Sequence, residues 1–442
     1  MQFRKQIDLY WNVVLPNRKE KLWEVFDHLS NSLCKVADLA EFIRMAHPST
    51  HYSSAAENAC ISIGGLVEKL NTNKALYDSL KEVTIHGDKF PTTEVDDHVA
   101  KLFSFDFEQS GIHLSDDKRV QVADLNEKIL TLGQQFLSGT LEPRAIPKDK
   151  LPEGIRHHFA IDGNNVVVGG MFSDSSVEMT REAAYKIFLH PEQRQEWRLS
   201  QLLQARHQMA SLCGFPSFAH RAMSGSLAET PELVGQFLTR LSEDLKMEAQ
   251  NEFDEMNQLK SQIHKGARGL APWDVAYLIA RARHRSLPAE LSDGLSAYFS
   301  LGAVMDGLSN LFTDLFNISL RVEEPQPGEL WTDDVYKVAV VHDSSEVLGH
   351  IYCDFFEHHR KAHQDCHFTI RGGKRLEDGE YQNPVVVLHL NLPNPTWSTP
   401  CLLSLSMMEN LFHEMGHAMH SMLARTRYQH VTGTRCSTDF AE

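Results

Sequence analysis

Residues 413–417 read His-Glu-Met-Gly-His. On a helix, side chains four positions apart share a face, so His413 and His417 can aim their ring nitrogens at one ion about 2.0–2.1 Å away. Glu414 lies one position on and projects beside such an ion. That is where a carboxylate serves as a base toward water. The pentapeptide arises by chance in a chain of this length on the order of once in a hundred. Some copies are inert helix surface, so the motif needs support from its surroundings.

A two-histidine site needs a third protein ligand and one open position. A third histidine at the spacing H-E-x-x-H-x-x-G-x-x-H is excluded, because Leu423 stands in its place. Downstream, Gly433-Thr434 reads as a turn, with Gly433 a candidate substrate contact. Thr438 or Asp439 can begin another short helix. Glu442 is then a carboxylate able to return to the ion. Asp439, three residues earlier on the same face, is a candidate acceptor for a ligand histidine N–H. His420 shares the ligand face and has either a supporting or a plain packing role.

These groups need elements to position them. Ser406 followed by Glu409 has the spacing of a capping box. Met407, Met408, Leu411, Phe412, Met415 and Met419 supply apolar neighbours. The motif is therefore expected on a helix over 407–423. Most of the chain upstream carries helical periodicity, over Lys21 to Met45 and about 54–71, 96–110, 116–138, 179–213 and 294–316. Thr230-Pro231 starts a further helix, expected to run to about Gln262. Between about 318 and 392 the pattern turns to strands at Tyr336 to His342, Leu348 to Phe355, His367 to Arg371 and Val385 to Leu392. These strands are expected to offer an edge to an extended peptide, with Val385, Val387, His389 and Asn391 alternating to one face. The blander reading of His389 is a sheet histidine with no ligand contact.

The pattern Leu-Phe-His-Glu-x-Gly-His-x-x-His, followed by Gly-Thr and Asp-Phe-x-Glu, resembles the thimet-oligopeptidase-like metallopeptidase family, M3. The resemblance maps the third zinc ligand of that family onto Glu442. Further stretches extend it: residues 32–40 (Ser-Leu-Cys-Lys-Val-Ala-Asp-Leu-Ala), 105–108, 181–189, 363–373 and 427–434. They are similar to family members that remove a short N-terminal octapeptide from imported precursors in the mitochondrial matrix. The likeness runs from about residue 25 to the end. It implies a mainly α, two-lobed fold with a channel between the lobes, and a small β-sheet preceding the H-E-x-x-H helix. It also implies one zinc ion per chain, held by His413, His417 and Glu442, with Glu414 as catalytic base. Precursor proteins or peptides would be the substrates of a monomeric enzyme.

Bulk properties agree. The 442 residues are 42% hydrophobic and 23% charged, an ordinary globular balance. The net charge of -16 argues against a nucleic-acid binder. Seven scattered cysteines, never spaced C-x-x-C, read as free thiols and not as a disulfide framework. No apolar run approaches the roughly 18 residues of a membrane span. No G-x-S-x-G elbow or Walker A loop occurs. The expected division is a divergent segment over 1–20, an N-terminal helical lobe over 21–227 and a catalytic lobe over 228–442. Residues 1–20 do not resemble the family and show no convincing presequence. The family pattern also continues past Asp-Phe-x-Glu, into groups that stabilise the oxyanion. The catalytic lobe is therefore expected to lack its C-terminal part. The alternative function is a catalytically weak or inactive chain that binds peptides.

Overall fold

The computed structural model describes residues 19–263, 269–286, 295–358, 361 and 364–442. It is mainly helical, with a small sheet ahead of the motif helix, as expected. The chain divides into two compact units. One unit gathers the chain up to Ser115 and from Leu295 onward; the other holds the residues between.

The reason for this partition lies in the first helix, Leu22–Ala46. Its Phe42 packs edge-on against Trp331 and Phe368, at ring-centre distances of 4.6 and 5.3 Å. Its fully buried Asp27 accepts hydrogen bonds from Lys374 Nζ at 2.8 Å and from the His430 backbone N–H at 2.9 Å. A buried carboxylate needs such partners, and here they come from the far end of the sequence. The helices Thr50–Asn71, Lys74–His86 and Glu94–Gln109 complete this side of the unit. Thr93 and Asp96 cap the last of them reciprocally: Thr93 N donates to Asp96 Oδ2 at 2.8 Å, and Asp96 N to Thr93 Oγ1 at 3.3 Å.

The sheet of this unit has five strands, in the order Ile318–Glu323, Tyr336–His342, Val347–Phe356, Val385–Leu392, Cys366–Arg371. All neighbours are antiparallel except Val347–Phe356 and Val385–Leu392, which run parallel. Val385–Leu392 therefore has a partner on both sides. It is not the edge that the sequence led us to expect; Cys366–Arg371 is. Side chains alternate across a strand. Val386, Leu388 and Leu390 enter a core with Leu411, Met415, Ala418, Met419 and Met422 of the motif helix, and with Leu308 and Phe312 of helix Leu301–Phe316. Val387 points the other way, onto Phe42 and Ala46. A strand covered on both faces reads as an almost continuous apolar run, which is how residues 385–392 appear.

The intervening unit pairs helix Asp116–Leu141 with helix Gln193–Leu212. Its buried ionic cluster joins three elements. Asp274 accepts from Arg181 Nη2 at 2.7 Å and from Lys260 Nζ at 2.6 Å, and Lys260 also reaches Glu178 at 2.8 Å. The expected 179–213 helix is two, Glu178–Phe188 and Gln193–Leu212, interrupted where Pro191 falls. The helix expected from Thr230 to about Gln262 breaks at Leu245 into Pro231–Asp244 and Lys246–Ile263. No helix among the described residues is long and apolar enough to cross a membrane.

Candidate metal centre

The motif helix spans Leu405–Leu423. Ser404, not Ser406, caps it. The Ser404 backbone is extended and its Oγ accepts from Met407 N at 3.3 Å. The helix rests on the sheet through its methionines, and Gly349 makes the approach possible. A Cβ there would meet the Met422 sulfur and would lie 2.6 Å from Pro384 O.

On this helix His413 Nε2 and His417 Nε2 face each other at 3.1 Å. The chain returns through the short helix Thr438–Ala441, and Glu442 Oε2 lies 3.3 Å from His413 Nε2 and 3.5 Å from His417 Nε2. Donor atoms about 2.0–2.1 Å from a tetrahedral ion are about 3.3 Å apart, so this triangle has the size a zinc ion requires. Two nitrogens and one carboxylate oxygen also match the borderline character of that metal. The residues present fit the group.

Glu414 is buried, with 6% of its surface exposed. Burial pushes its carboxyl above the usual range, while His417 and His413 oppose that shift. Three neighbours went unnoticed among the candidate site residues. Asp365 accepts from Asn410 Nδ2 at 2.8 Å and from the Asn391 backbone N–H at 2.8 Å, tying the motif helix to the end of a central strand. Cys366, beside Glu414, has its thiol pushed up to about 11, by burial first and then by the Glu414 charge. His367 Nε2 lies 3.4 Å from Ser421 Oγ, and its ring centre is 6.0 Å from that of His417. Burial, with the neighbouring His417, holds His367 down at about 4. These residues lie in or beside the 363–373 stretch that carries part of the resemblance, but no local spacing marks them as part of a site.

The other expected residues fall differently. His389 is 1% exposed, with Nδ1 3.4 Å from Asp354 Oδ2. It lies in the sheet interior and is not a surface offered to a peptide. Asn391 is half-buried and bonded to Asp365. Gly433 is buried at φ +55°, and a Cβ on it would lie 2.7 Å from Ser421 Oγ and 2.9 Å from Ser421 Cα. Its role is close packing of the returning loop, not contact with substrate. His420 faces Phe440 at a ring-centre distance of 6.3 Å, which favours its packing role. Asp439 is exposed in the first turn of the last helix.

The profile of peptidase family M3 matches residues 171–442. The chain belongs to that family. It is 51% identical over 423 residues to the mitochondrial intermediate peptidase of Homo sapiens, covering 95% of this chain and 59% of that protein. The corresponding protein of Mus musculus gives the same identity and coverage. That of Coccidioides immitis (strain RS) is 35% identical over 478 residues, covering 94% of this chain and 58% of that protein. The chain thus spans about three-fifths of the length of these relatives. A solved chain described as a candidate oligoendopeptidase F from Bacillus anthracis str. Ames superposes with a TM-score of 0.47 at 12% identity, over 96% of this chain and 65% of that one. That likeness is too low to argue from.

Proposed function

We propose that this chain carries the zinc centre of a metalloendopeptidase that removes a short N-terminal octapeptide from imported precursor proteins in the mitochondrial matrix. The observation that carries the chemistry is the convergence of His413, His417 and Glu442 beside a buried Glu414. The substrate and compartment rest on the similarity to mitochondrial intermediate peptidases.

A zinc ion bound there would polarise the scissile carbonyl and ease the ionisation of water. The chain's own groups do the rest. Glu414 accepts the proton of the attacking water and passes it to the leaving amine nitrogen. Its burial suits both halves of that task, because a carboxyl above its usual range holds a proton long enough to donate it. The His367 ring, kept neutral by burial, adds no competing positive charge beside His417. An extended substrate pairs with the edge strand Cys366–Arg371, next to the motif helix, and not with Val385–Leu392.

The test is zinc content and cleavage of an octapeptide-bearing precursor, measured side by side for the wild type and Glu414→Gln. One zinc in each, with cleavage only in the wild type, supports the reading. Cleavage that survives the substitution, or a chain that takes up no zinc, removes it.

A further inference from the structure

Apart from His413, His417 and Glu442, the described residues bring one other set of ligand types together. Glu20, His28 and Glu377 have donor atoms that all lie within 4.8 Å of one another. His28 Nδ1 stands 3.6 Å from Glu20 Oε2 and 3.7 Å from Glu377 Oε1. An imidazole and two carboxylates attract, yet these stop short of hydrogen-bond contact, which for N–H···O lies at about 2.7–3.2 Å. The spaces between them resemble those at the first centre, where the donor atoms are 3.1 to 3.5 Å apart. Donors set about 2.0–2.2 Å from one tetrahedral metal ion are about 3.3–3.6 Å apart, close to the two distances from His28 Nδ1.

The surroundings agree. Two of the three groups, His28 and Glu377, border a cavity of about 590 Å³, whose wall also includes Asn31, Ser32 and Asp378, oxygen donors able to complete a coordination sphere or to hold its waters. Burial and the charge of Glu377 push the Glu20 carboxyl up to about 7, a repulsion that a cation between the two carboxylates would offset. Lys374 also lines the cavity; its ammonium is bonded to Asp27 Oδ2 at 2.8 Å, and its charge also reaches Glu20 and His28. One nitrogen and two carboxylate oxygens form a donor set for zinc, manganese or iron(II) and not for a soft metal.

We propose that Glu20, His28 and Glu377 form a second divalent transition-metal site. It clips the start of the Leu22–Ala46 helix to the hairpin over 374–382, a contact between residues more than three hundred positions apart. Glu377 is 81% exposed, against 48% for His413 and 57% for Glu442, so the site binds more weakly than the first centre and fills second.

The experiment is equilibrium dialysis of the metal-stripped full chain against zinc alone, for the wild type, Glu377→Gln, His28→Ala and His413→Ala. The wild type is expected to bind two ions with separable affinities. Glu377→Gln and His28→Ala lose the weaker ion and keep the tighter one; His413→Ala does the reverse. Because Glu377 is exposed, its substitution leaves the core untouched, and circular dichroism verifies the fold of each variant. A wild type that binds one ion up to millimolar zinc, lost in His413→Ala, overturns the proposal. So does retention of both ions by Glu377→Gln and His28→Ala. A single ion lost in His28→Ala and kept in His413→Ala supports this site while removing the zinc reading of the motif, so the two proposals fail separately.

Discussion

Asn410, three residues before His413, donates to the Asp365 carboxylate at 2.8 Å. Through its other oxygen Asp365 holds the Asn391 backbone N–H at 2.8 Å. The motif helix is thus pinned in rotation and height to the end of a central strand. Small displacements of ligands or base are costly, since about 1 Å of misplacement can lower a rate about a hundredfold. Asp365→Ala is expected to lower kcat/KM by about 10–100-fold with a smaller effect on overall stability. Kinetics beside urea unfolding separate the two. Equal losses in both would make Asp365 a general structural residue.

The candidate metal centre gives a sharper contrast. His417→Ala and Glu442→Ala are expected to lose the tightly bound zinc, whereas Glu414→Gln keeps it and loses about 10²–10⁴-fold in kcat, the usual contribution of a positioned general base. Metal analysis of the three variants decides this. Zinc retained at wild-type affinity in Glu442→Ala would mean that the third ligand lies elsewhere.

Acid stability should depend on Asp96. This fully buried carboxylate accepts from Tyr428 OH and Lys21 Nζ, each at 2.5 Å, and caps its own helix. Burial alone would raise its pKa, but these donors outweigh it and hold the group at about 2. The unfolded value is about 3.9, so the folded pKa is depressed. The stabilisation is then complete above about pH 4 and is lost as pH falls toward 2, amounting to about 2 kcal/mol. Asp106, whose half-buried carboxyl is pushed up to about 6 by desolvation, acts in the opposite sense. The difference between wild type and Asp96→Asn isolates the Asp96 term. Urea midpoints measured from pH 2 to 7 should show a gap that opens between pH 2 and 4; a constant gap would contradict the assignment.

Gly433→Ala tests the returning loop. The residue sits at φ +55° with Ser421 Cα 2.9 Å from where a Cβ would go. A left-handed conformation at a non-glycine residue costs about 1–3 kcal/mol, and the steric contact adds to it. Zinc affinity should fall with stability, because the same loop delivers Glu442. Unchanged zinc affinity in a destabilised variant would show the loop and the ligand to be independent.

The site was legible where it is local. His413, Glu414 and His417 sit on one helix, and helical periodicity over 405–423 needs no distant information. The cap was misplaced by two residues, since Ser404 and Ser406 are equally good candidates by type and only the extended backbone at Ser404 distinguishes them. Sheet order was not legible. Strand Val385–Leu392 follows Cys366–Arg371 in sequence, yet inserts between it and Val347–Phe356, so the expected edge became the interior and His389 was buried with it. The break at Leu245 carries neither proline nor glycine, and periodicity runs through it. The discontinuity of the first unit has no local signal, because it depends on contacts such as Asp27 with Lys374, to which no local pattern points.

That bond has a bearing on how the protein is made. The first unit is discontinuous: its opening helices are synthesised early, and the sheet they cover arrives only after the whole intervening unit has been translated. At about 5–20 residues per second, the wait is on the order of ten seconds or more. During it, Phe42, Ala46 and the lone carboxylate of Asp27 have nothing to bury them. A nascent chain of this kind is a natural client for a holding chaperone, and the second unit, contiguous in sequence, is free to fold first.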